Sequence, residues 1–106
     1  MLIREARLCM VALLVTAIAV PVFAQSGEST FKSRCAMCHG ADGQATSSMA
    51  KSMNIPSVKS PDFKKLTESE MVADTTNGKG KMPAYKGKLA DAQIKEVVAY
   101  MRTLEK

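Results

Sequence analysis

Three features of the sequence predict an all-α domain. Residues 91–104 carry Ile94, Val97, Val98, Met101 and Leu104 at three- and four-residue steps, the spacing of one helix face. Thr67-Glu68-Ser69-Glu70 is a capping box, in which the hydroxyl and the second carboxylate each accept an otherwise free backbone N–H and so start a helix. Beyond residue 24, apolar, β-branched runs of the kind a βαβ unit requires do not occur.

Taken in chain order, residues 1–24 have the form of a secretory signal peptide. Arg4 and Arg7 give a positive start, Leu8 to Val20 an apolar stretch, and Val22-Phe23-Ala24 a cleavage site. An apolar run of about 13–16 residues falls short of the ~20 that span a bilayer, so no stable membrane insertion is expected after cleavage. Cys9 follows Leu8, not the small residue a lipoprotein site prefers, and is discarded with the segment. Residues 25–106 then form one exported domain. Removing Arg4, Glu5 and Arg7 takes the formal charge from +5 to +4. Aromatic residues interleaved with Lys and Arg along a face are absent, so no nucleic-acid partner is predicted.

The first helix is predicted over residues 28–38, with Ser26 or Gly27 at its start and Gly40 just past its end. It leads into Cys35-Ala36-Met37-Cys38-His39, a C-x-x-C-H. This spacing is the signature of covalent c-type haem attachment. Residues i and i+3 share one helix face, so both thiols reach one porphyrin edge, and the adjacent imidazole becomes the first axial ligand of iron. A zinc site would need a second C-x-x-C or paired histidines, and the chain has three cysteines and one histidine. A thioredoxin-like dithiol would need the missing strands. A domain of about eighty residues is marginal without a staple, which a covalently held haem supplies. The apoprotein is therefore expected to fold poorly.

Ala41 to Pro61 is polar, broken by Pro56 and Pro61, and reads as a loop with one short helix near Ser47 to Met53. The capping box opens a helix that runs to about Thr76 and stops at Asn77-Gly78. Gly78-Lys79-Gly80-Lys81-Met82-Pro83 is a loop, and Asp91 to Leu104 is the last helix.

His39 is the sole histidine, so bis-histidine ligation within one chain is excluded. Methionine sulfur is the usual alternative, and it raises the reduction potential. After cleavage the candidates are Met37, Met49, Met53, Met71, Met82 and Met101. Met37 lies inside the attachment motif, Met71 and Met101 belong to amphipathic helices, and Met49 and Met53 suit packing or a pocket wall. Met82 is preferred: flexible glycines precede it and a rigid proline follows, so its loop can hold a side chain against a flat ring.

The combination of C-x-x-C-H with Gly-Lys-Gly-Lys-Met82-Pro83-Ala84-Tyr85 further along resembles the class I cytochromes c of the small bacterial monohaem type. Gly27-x-x-x-Phe31 and Tyr100 are similar to the glycine and aromatics of that family's first and last helices. The resemblance implies a small cytochrome c fold, with helices wrapped around one covalently attached haem and the two terminal helices crossing at Gly27, Phe31 and Tyr100. It further implies a proline carbonyl accepting the Nδ1 hydrogen of the ligand histidine, for which Pro56 is the candidate. One departure is Ala90, where the family often carries Ser or Thr. Either Asp91 caps the last helix instead or that end loses about 1 kcal/mol.

The predicted function follows from the site. Cys35 and Cys38 hold one haem c, and His39 and Met82 are its axial ligands. Iron with both axial positions filled binds no substrate, so the chain reads as a periplasmic one-electron carrier and not an enzyme. Partners are redox proteins with acidic docking surfaces, drawn to Lys79, Lys81, Lys86 and Lys88, and the carrier is expected to be a monomer. Two alternatives remain: an open sixth position serving a peroxidase-like enzyme or gas sensor, and an exported subunit of a larger oxidoreductase.

Overall fold

The computed structural model describes Thr16 and residues 27–106. The expected signal segment and its cleavage site, Thr16 apart, lie outside the described residues. Five helices follow: α1 (residues 27–39), α2 (Ser48–Ser52), α3 (Pro61–Lys64), α4 (Glu68–Asn77) and α5 (Asp91–Leu104). Strands are absent among the described residues. The pairings present are two isolated bridges, Lys79 with Met82 and Lys86 with Leu89.

The first helix extends one residue beyond each end of its predicted span and is not regular. Phe31–Cys35 form a π turn, closed by the Ala36 N–H donating to the Phe31 carbonyl. A π turn carries more residues than an α turn, so it rotates everything after it relative to what precedes it. The half before the turn packs on α5. A Cβ on Gly27 would lie 3.0 Å from the Glu96 carbonyl carbon and 3.1 Å from Tyr100 Cβ, so only glycine permits this approach. Phe31 is fully buried beside Tyr100, with ring centroids 5.4 Å apart at 53°. The crossing implied by the family resemblance is thus present. The end of the turn, with Cys35, and the half after it, with Cys38 and His39, line a cavity described below.

Ser47 caps α2 by accepting the Ala50 N–H at 3.0 Å, where the short helix was expected. The sequence reading missed α3. Its signals are local: Ser60 accepts the Phe63 N–H at 3.2 Å, and Pro61 stands in the first turn. Proline there has a preset φ and no N–H to lose, so it starts this helix rather than merely breaking a loop. The capping box of α4 forms as predicted, with Glu70 N–H donating to Thr67 Oγ1 at 3.1 Å and Thr67 N–H to Glu70 Oε2 at 3.3 Å. Gly78 ends the helix.

The last helix spans Asp91–Leu104, and its stripe buries Ile94, Val97, Val98 and Met101. Leu104 packs against the core from a partly buried position. Its start follows the second of the two expectations, an end without a side-chain cap, and not the first. Ala90 holds the N-cap, and Asp91 is the first helical residue, where its charge favours the positive end of the helix dipole. Gln93 Oε1 accepts the Ala90 N–H at 2.9 Å, so half of a capping box exists without its hydroxyl. Ala90→Ser supplies the missing acceptor and is expected to raise stability by about 1 kcal/mol, read as a higher denaturation midpoint.

The core gathers Phe31 and Cys35 of α1, Val58, Phe63 of α3, Met71 of α4, and Val97, Val98 and Met101 of α5. Arg102 pins the α3–α4 connection to α5: its guanidinium donates to the Leu66 carbonyl and pairs with Glu105 at 2.7 Å. No described helix is long and apolar enough to cross a membrane.

Candidate haem site

Cys35 is buried and Cys38 half-buried, and both thiols are free. Burial, followed by the neighbouring Cys38, pushes the Cys35 thiol up to about 11 against the opposing pull of Arg34, so it stays protonated at neutral pH. The His39 ring lies 6.5 Å from the Phe31 ring, centroid to centroid. Burial lowers the His39 pKa, which keeps the imidazole neutral at pH 7, the form that ligates a metal.

The Nδ1 atom of His39 is sealed from solvent and has no hydrogen-bond partner among the described residues. The expected bond to the Pro56 carbonyl is therefore not made, although Pro56 lines the same cavity as His39. A buried unpaired nitrogen costs free energy, and such groups need an explanation in the chemistry of the site. With Nδ1 sealed, Nε2 is the nitrogen left to serve that cavity.

Met82 reaches the cavity on a tight turn. Lys79 N–H donates to the Met82 carbonyl at 3.1 Å and Met82 N–H returns to the Lys79 carbonyl at 2.9 Å. Gly80, at φ +56°, takes the first central position that such a turn reserves for glycine. Gly78, at φ +81°, has Met82 O 2.9 Å and Ala84 N 3.0 Å from where a Cβ would sit. No other residue lets α4 end so close to the returning chain. Beyond Met82 the loop is tied back to α4 by Tyr85 N–H to the Thr75 carbonyl at 3.0 Å and Lys86 N–H to the Thr76 carbonyl at 3.1 Å.

These elements enclose a cavity of about 450 Å³, the size of a cofactor site. Cys35, Cys38 and His39 line it from α1, and Met82 lines it from the loop. Met71 and Met101, read from the sequence as core residues, are buried and also form cavity wall, as does Met53. Met37 is 79% exposed at the rim. Met49 is 41% exposed and is not part of the lining. Sequence reasoning missed Phe63 and Leu66 as cavity wall and the pairing of Tyr85 with α1. The Tyr85 hydroxyl donates to the Arg34 carbonyl at 3.1 Å. Burial first, then the two nearby thiols, raises the Tyr85 pKa, so the phenol is a donor at neutral pH.

Of the four lysines singled out, Lys79 and Lys81 reach the cavity lining, and all four are exposed. Lys79 lies 3.7 Å from Asp74, and Lys88 Nζ is 6.0 Å from the Tyr85 ring centroid.

Residues 23–101 match the family described as cytochrome C oxidase, cbb3-type, subunit III. Cytochrome c6 of Leptolyngbya boryana is 38% identical over 79 residues, which cover 74% of this chain and 88% of that protein. The chain belongs to the class I cytochromes c.

Solved structures agree with this cytochrome assignment. Cytochrome c6 from the diatom Phaeodactylum tricornutum superposes with a TM-score of 0.59 at 32% identity, over 77% of this chain and 93% of that one. The KustC0563 c-type cytochrome superposes with a TM-score of 0.69 over 76% and 98%, and at 21% identity it speaks for the fold alone. As a small monohaem cytochrome c, the protein carries one covalently bound haem c and serves as an electron carrier. The residues present fit that group: two free thiols, a neutral imidazole and a thioether line one apolar cavity.

Proposed function

We propose that Cys35 and Cys38 form the two haem thioethers, that His39 and Met82 are the axial ligands, and that the protein is a periplasmic one-electron shuttle and not an enzyme. The observation that carries this reading is the meeting of these four side chains, from the end of α1 and from a distant loop, in one cavity. When bound, the haem supplies an iron that alternates between Fe(III) and Fe(II). The chain does the rest. The rotated end of α1 presents two thiols and an imidazole together. The turn at Gly80 and the close pass at Gly78 fix the Met82 backbone at the cavity that Met82 lines. Phe63, Met71 and Met101 give the cavity an apolar wall, and apolar surroundings favour the less charged, reduced site. With His39 and Met82 both holding the iron, no position would be left on it for a substrate. The oxidised protein is expected to show the weak sulfur-to-iron charge-transfer band and, once reduced, to resist carbon monoxide. Ready carbon monoxide binding by the unmodified protein would favour the peroxidase-like or gas-sensing alternative.

Export is tested by mass. The periplasmic form is expected to begin at Gln25 and to carry one haem. A form retaining residues 1–24 would point to an anchor.

The partner is a redox protein with an acidic face, met by the monomer through the exposed lysines around Met82. Charges at such a rim raise the association rate and make it fall with salt. Reversing Lys79, Lys81, Lys86 and Lys88 together is expected to slow electron transfer at low ionic strength and to flatten its salt dependence. An unchanged salt dependence would remove these lysines from docking.

A further inference from the structure

We propose that the Tyr85 hydroxyl is a latch that fastens the Met82 loop to α1 and keeps foreign ligands from the sixth axial position. The inference rests on the His39/Met82 ligation proposed above. The loop between α4 and α5 is anchored by its backbone to α4, through Thr75 and Thr76, and to itself, through the Lys79–Met82 pair. Neither anchor reaches α1. Among the described residues, the Tyr85 hydroxyl donating to the Arg34 carbonyl is the one side-chain hydrogen bond that joins this loop to α1. Its acceptor is the peptide carbonyl immediately before Cys35, inside the π turn.

The donor is held as firmly as the acceptor. The Tyr85 N–H is bound to Thr75, and the Tyr85 carbonyl accepts Lys88 N–H at 2.9 Å and Leu89 N–H at 3.0 Å. The ring is thus fixed to the loop's own backbone and leaves its place only when the loop does. Arg34, Cys35, Met82 and Tyr85 all line the cavity, so the bond crosses its edge. With Met82 holding the iron, a small ligand would gain that side only after the loop lifts, and lifting the loop separates the Tyr85 hydroxyl from Arg34. The bond therefore enters the opening equilibrium directly. A typical net hydrogen-bond contribution makes that equilibrium about two- to ten-fold less favourable to the open form.

Tyr85→Phe keeps the ring and removes the donor. In the haem-loaded protein, the rate of cyanide binding to the ferric form is expected to rise about two- to ten-fold. Amide exchange over residues 82–86 is expected to quicken while that of α5 stays unchanged, because the effect is local opening and not global unfolding. Unchanged cyanide binding, or faster exchange spread equally over α5 with a lowered denaturation midpoint, would overturn the latch. The unmodified protein separates the two levels of inference. If it lacks the sulfur-to-iron band, the ligation itself is wrong; if it has the band and Tyr85→Phe leaves ligand entry unaltered, the latch alone is wrong.

Discussion

Replacing Cys35 and Cys38 together with alanine is expected to give a colourless protein with most of its helix content lost. The reason lies in how the core is built. Cys35, Phe63, Met71 and Met101 belong both to the hydrophobic core and to the lining of the cavity. The interior is therefore one apolar shell with a space of about 450 Å³ in it. At roughly 24 cal/mol per Å³, leaving such a volume dry and empty costs on the order of 10 kcal/mol. Entry of water lowers that figure but wets the apolar wall. The wetted apolar wall still forfeits its burial, a sizeable part of a small domain's stability of about 5–15 kcal/mol. The absorbance of purified protein and its far-ultraviolet circular dichroism read the result. A compact, helical, colourless double variant would show that the remaining shell folds by itself. Either single replacement leaves one thioether and is expected to retain both colour and fold.

The second large effect is expected at Met82. Met82→Ala should abolish the charge-transfer band, let the reduced protein bind carbon monoxide, and lower the reduction potential. Thioether ligation favours Fe(II), and axial ligands move haem potentials over a range of about 0.8 V, so a fall on the order of 0.1 V or more is anticipated. Fold should survive, because the turn that carries Met82 is closed by backbone groups between Lys79 and Met82 and not by the side chain. Met53→Ala is the control: Met53 also lines the cavity and should leave the band in place. A band that persists in Met82→Ala and vanishes in Met53→Ala would move the ligand to the other side chain.

Much of this architecture is legible in the sequence where the code is local. The stripe from Ile94 to Leu104 and the Thr67/Glu70 box each specify a helix within a few residues, and α5 and α4 stand where they indicate. C-x-x-C-H is local too, so its meaning survives without any knowledge of tertiary contacts. Ser60-Pro61 is equally local, but proline also ends elements, so Pro61 reads as the end of a loop and residues 62–64 receive no element. Other features depend on pairs of distant residues. Gly27 is required by Glu96 and Tyr100, Gly78 by Met82 and Ala84, and the Tyr85 hydroxyl by Arg34. Pattern alone does not reveal such pairings, and the family resemblance supplied the first of them. The π turn has no recognised signal in Phe31–Cys35, and its consequence, the rotation of the motif, is visible only in three dimensions.

That rotation gives one short rod two duties, joined at Phe31. Gly27 and Phe31 answer to the opposite terminus of the chain, whereas the thiols and imidazole answer to the prosthetic group. Because Phe31 belongs to the clasp and its carbonyl also closes the turn, a change at the clasp between termini shifts the aim of the attachment residues as well. Conversely, the chemistry at the far end can be retuned while the clasp that closes the chain stays as it is.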